Sequence, residues 1–124
     1  MDLLAARYKR RDREAAARAE RLLGHARAFA AYLVAQGATR VVLFGSLARG
    51  SPVHSATDLD LAVSGLDHAA ILRASVELEQ RLGDDVAWLG DRPRGVDLVR
   101  LEDASDALKA EVEKDGKELA RVAC

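Results

Sequence analysis

Residues 41–63 read VVLFGSLARGSPVHSATDLDLAV, and the rest of the chain takes its meaning from them. The run Val41 to Phe44 has no polar break, which suits a strand covered on both faces and central in a sheet. Gly45 permits a turn that other residues resist, and Ser46 can cap a short helix through Leu47 and Ala48. Free N–H groups at such a helix start favour anions, and Arg49 adds a fork of donors suited to phosphate oxygens. Taken alone, Gly-Ser is a common turn dipeptide.

The second half of the stretch, Asp58-Leu59-Asp60-Leu61-Ala62-Val63, alternates with a period of two. Leu59, Leu61 and Val63 then enter the core while Asp58 and Asp60 share the other face, their Cα atoms about 7 Å apart. Two carboxylates aimed at one volume repel, and one is driven towards protonation unless a cation lies between them. Oxygen ligands without clustered Cys or His select a hard ion, Mg²⁺ or Mn²⁺. Further on, Val96-Asp97-Leu98-Val99-Arg100-Leu101 reads as another strand that Asp97 interrupts. If it neighbours Asp58 to Asp60, Asp97 joins their face and completes a three-carboxylate cluster.

Outward from these strands, the spacing predicts a helix over about 12–36, with Leu22, Ala26, Phe29 and Leu33 on one stripe and Gly37 ending it. A second helix begins at Asp67 as N-cap, carries Ile71, Leu72, Ser75, Leu78 and Leu82 near one face, and closes at Gly83. Val86 to Leu89 suits either a short strand or a helical extension, and residues 90–95 form a loop by turn chemistry. Trp88 reads as a packing residue, and Arg92 and Arg94 as loop charges. A last helix is expected over 104–114, followed by a short strand over 118–122, with no evident chemistry in either.

Composition sets the bounds. The chain has 124 residues, 49% hydrophobic and 31% charged, which fits one globular domain. No window approaches the roughly 18 apolar residues of a membrane span, and the charged N-terminus has no apolar core of an export signal. The lone cysteine, Cys124, excludes an internal disulfide, and a reducing, cytoplasmic setting fits. With a net charge of -1, extended nucleic-acid binding is disfavoured. The basic segment 7–13 reads either as the solvated face of a helix end or as a contact patch for an acidic partner.

A strand ending in Gly-Ser, then Asp-x-Asp on the next strand, then a third Asp two elements on resembles the nucleotidyltransferase superfamily of DNA polymerase beta. GSLARG, TDLDLAV and GVDLVRL are similar to its MNT class, the minimal nucleotidyltransferases. The resemblance implies an α/β fold, a small mixed sheet with helices packed on it and here a long N-terminal helix. It divides the single domain into an N-terminal helical segment (1–37), a catalytic core (39–101) and a C-terminal helix and strand (102–124). It further implies that Gly45 and Ser46 hold the terminal phosphates of ATP, that Arg49 neutralises phosphate, and that Asp58 and Asp60 bind Mg²⁺ or Mn²⁺. Asp97 is then the third carboxylate, placed to help deprotonate the attacking hydroxyl. Eleven residues separate Ser46 from Asp58, one more than is usual, so Ser51 to Ala56 should bulge with His54 exposed. The class implies an antitoxin that transfers AMP to a tyrosine of a partner HEPN toxin. A transferase acting on a small molecule and a module that neutralises its partner by contact alone are the alternatives.

Overall fold

The computed structural model describes residues 3–51, 58–86 and 95–122. In chain order it comprises α1 (Leu3–Ala35), β1 (Arg40–Phe44), α2 (Gly45–Ala48), β2 (Leu59–Ser64), α3 (His68–Val86), β3 (Val96–Arg100), a 3-10 turn (Leu101–Asp103), α4 (Asp106–Asp115) and β4 (Lys117–Arg121). The four strands form one mixed sheet in the order β3-β2-β1-β4. β1 pairs antiparallel with β2 on one side and β4 on the other, while β2 and β3 run parallel, joined through α3. The unbroken apolar run Val41 to Phe44 does take an inner position, buried along its length.

The two sheet faces are covered unequally. On one, Val41, Leu43, Leu59, Leu61, Val63 and Val96 pack against Ala26, Phe29, Ala30 and Leu33 of α1 and Ala74, Leu78 and Leu82 of α3. On the other, Val42, Phe44 and Ala62 meet Leu101 and, from α4, Val112. The period-two reading of β2 therefore holds: Leu59, Leu61 and Val63 point into the larger core. Asp60 and Ala62 share the α4 side.

Several boundaries differ from the sequence expectation. α1 begins at Leu3, some nine residues before the expected start, so the basic segment lies on helix. The apolar stripe marks only where the helix meets the core, from Ala19 onward. The preceding turns, rich in Ala and Arg, are helical by propensity without it. Gly83 does not close α3, which continues to Val86. It keeps a negative φ, and an interior glycine costs only about 1 kcal/mol. Leu72 is 68% exposed, because the stripe is set by Ile71, Ala74, Leu78 and Leu82. The Asp67 cap is present, its Oδ1 accepting from the N–H of Ala70 at 2.8 Å. Ser105 caps α4 in the same way, and Leu101 leaves β3 for the 3-10 turn. Trp88, Arg92, Arg94, His54 and Cys124 lie outside the described residues.

α4 docks tightly on β1 at Gly116. A Cβ there would fall on the carbonyl oxygen of Val112 and come within 2.6 Å of Val42 Cγ1. Gly116→Ala should therefore lower unfolding free energy by about 1–3 kcal/mol, as overpacking does, read as a shifted urea midpoint at unchanged slope.

Candidate active site

The site lies at the end of the sheet where β1 runs into α2. Phe44 is the register partner of Asp60, so the next residue, Gly45, stands against the Asp60 side chain. A Cβ at Gly45 would fall on Asp60 Oδ2, and the residue has a φ of +79°. Both the turn and the carboxylate therefore require glycine at this position. Ser46 does not cap α2: the helix begins one residue earlier, with Phe44 at the N-cap and no side-chain cap bond. Ser46 sits half-buried in the turn, its carbonyl accepting from Ser51 N–H at 3.1 Å.

Asp97 faces Asp60 across the parallel β2 and β3 pair, Cα to Cα in register. This is the neighbour relation on which the three-carboxylate reading depended. Asp58 sits one residue ahead of β2, exposed, where the strand was expected to have begun already. Burial pushes the Asp60 carboxyl up to about 6, and the charges of Asp97, Asp58 and Glu111 add to the effect while Arg49 opposes it. Asp58 and Asp97 thus both bear on Asp60 electrostatically. Among the described residues no trio of carboxylate, imidazole or thiol groups is preassembled as a metal cage. The donor set is still all oxygen, and its mutual repulsion is the kind a divalent cation relieves.

Two carboxylates escaped the sequence reading. Glu111 of α4 accepts from Arg49 Nη1 at 2.9 Å and bears on Asp60. Glu79 of α3 joins Asp58, Gly95, Val96 and Asp97 around an open cleft of ≈190 Å³. Neither has a local signature: each is one acidic residue on a helix of mixed charge, and only the fold turns it to the site. Arg49 is half-exposed and is the C-cap of α2, its N–H donating to Gly45 O. No described helix is long and apolar enough to cross a membrane.

Residues 31–122 match the family described as polymerase beta, nucleotidyltransferase. Among solved structures, a toxin–antitoxin with AMP-PNP is similar at 28% identity and a TM-score of 0.55, covering 77% of this chain and 73% of that one. A mutant of the toxin–antitoxin MntA-HpeT is similar at 31% identity and a TM-score of 0.48, over 69% of this chain and 62% of that one. A tri-AMPylated HEPN toxin of Shewanella oneidensis in complex with MNT antitoxin follows at 28% identity and 0.44, over 69% and 59%. No curated protein matches the chain.

The raised Asp60 pKa has a definite sign. The group binds its proton more tightly when folded, so its contribution to stability is complete below about 4 and is lost as pH rises through about 6. Asp60→Asn should therefore match the parent near pH 4 and exceed it above pH 6. The gain, after allowance for solvent screening, should be about 1–2 kcal/mol in urea titrations at the two pH values.

Proposed function

Because the chain belongs to the polymerase beta nucleotidyltransferase family, we propose that it transfers AMP from ATP to a hydroxyl of a partner protein, a tyrosine of a HEPN toxin, and so acts as an antitoxin. The observation that carries the reading is the register of Asp60 with Asp97 beside a glycine whose missing Cβ makes room for the Asp60 carboxylate. The AMP-PNP in the similar toxin–antitoxin supports the choice of an adenine nucleotide.

In this reading Gly45 and Ser46 lie under the terminal phosphates, where a tight turn lets backbone N–H groups approach closely. Arg49 offsets phosphate charge with its planar fork of donors. Asp58 and Asp60 would hold Mg²⁺ or Mn²⁺, with Asp97 as the third ligand. The metal, when bound, polarises phosphate oxygens and screens the charge of departing pyrophosphate. Asp97 also takes the proton of the acceptor hydroxyl as its oxygen attacks the α-phosphorus. The new P–O bond forms as the bond to the β-phosphate oxygen breaks, and pyrophosphate leaves. Most of the rate gain comes from holding these groups in line, as in other phosphoryl-group transfers. The acceptor surface comes from the partner.

The test is to incubate the chain with ATP, Mg²⁺ and the protein encoded beside it, and to read that protein's mass. Added adenylate is expected with the parent chain and not with Asp60→Ala. No mass added to the partner by the parent chain, relative to that blank, sinks the proposal.

A further inference from the structure

Arg49 and Glu111 form an ion pair between α2 and α4, Nη1 to Oε1 at 2.9 Å. Each partner stands on a fixed support. Arg49 caps α2 through its own N–H to Gly45 O at 3.1 Å. Glu111 immediately precedes Val112, which is buried against Val42 and Phe44 of the sheet. The first turn of α4 is pinned in turn by Ser105, whose Oγ accepts from Leu108 N–H at 3.2 Å. The pair also lies within electrostatic reach of the carboxylate cluster, since Asp60 feels both of its charges.

Resting on the nucleotidyl-transfer reading, we propose that Glu111 is a positioning residue that holds one arm of the Arg49 guanidinium and leaves the remaining donors for the nucleotide's phosphates. A guanidinium carries five N–H donors in a rigid fork, so one bond to a carboxylate does not exhaust it. Among the described residues Glu111 is the carboxylate in ion-pair contact with Arg49. A long side chain loses rotamer freedom when it grips a ligand, and fixing it beforehand lowers that cost. Stability does not account for the contact: its side chains are 45% and 36% exposed, where ion pairs contribute little to folding. If Glu111 instead held Arg49 back from the nucleotide, its removal would tighten binding, so the two roles differ in sign.

Calorimetry with Mg²⁺ and AMP-PNP on the full chain separates them. Glu111→Ala should weaken binding by about three- to tenfold. Glu111→Gln, which keeps an acceptor oxygen, should retain most of the affinity. In an Arg49→Ala background, Glu111→Ala should add no further loss. Tighter binding by Glu111→Ala, an unchanged affinity, or an equal loss in the Arg49→Ala background overturns the assignment. A lowered thermal midpoint with affinity intact does so too, by making the role structural. A parent chain that binds no AMP-PNP removes the nucleotidyl-transfer reading and this inference with it. A parent that binds while Glu111→Ala binds equally well removes only the inference.

Discussion

A partly buried carboxylate pressed against a bare α-carbon decides the geometry of this molecule's functional end. Because β1 and β2 pair with Phe44 opposite Asp60, the residue after Phe44 lies on the Asp60 side chain. It must also turn with φ at +79°. One glycine meets both demands, and no residue with a Cβ meets either without displacement. The direction of α2, and with it the placement of Arg49 beside the carboxylates, follows from that turn. So does the electrostatic cost: Asp60 is held where its own charge is disfavoured, a condition that Arg49 offsets in part and that a proton or a cation relieves.

How much of this was legible in the sequence depends on the range over which each signal acts. Alternation within Asp58 to Val63 is local, and it assigned both faces of β2 correctly. The glycine after Phe44 is local too, although Ser46 was given a capping role that an earlier helix start removes. The pairing of Asp60 with Asp97 is not local. Asp97 stood out as a polar break in an apolar run, but its place beside Asp60 needed the parallel crossover through α3. Glu111 left no trace at all, since an acidic residue in the polar helix Asp106–Asp115 looks like any solvated charge until the helix is docked. The N-terminal turns of α1 show the converse error: the stripe of apolar residues reports contact with the core, and helix continues beyond that contact on propensity alone.

The unequal covering of the sheet explains where Asp60 sits. The face under α1 and α3 is filled with aliphatic side chains and supplies most of the buried apolar surface. The opposite face carries a smaller cluster anchored by Phe44, Val42 and Val112. Asp60 lies on this thinner side, where water and a ligand reach a half-buried acid. The larger core and the half-buried Asp60 thus lie on opposite faces of the same strand.

The sheet order has a consequence for how the chain is made. β1 is an inner strand, yet its two neighbours are separated by more than fifty residues: β2 at 59–64 and β4 at 117–121. During synthesis from the N-terminus, the β2 side of β1 closes early. Its other edge stays open until residues 117–121 emerge, with the backbone groups of an apolar strand unpaired. For that interval the nascent chain presents an edge to any strand within reach, until β4 pairs with it and shields it.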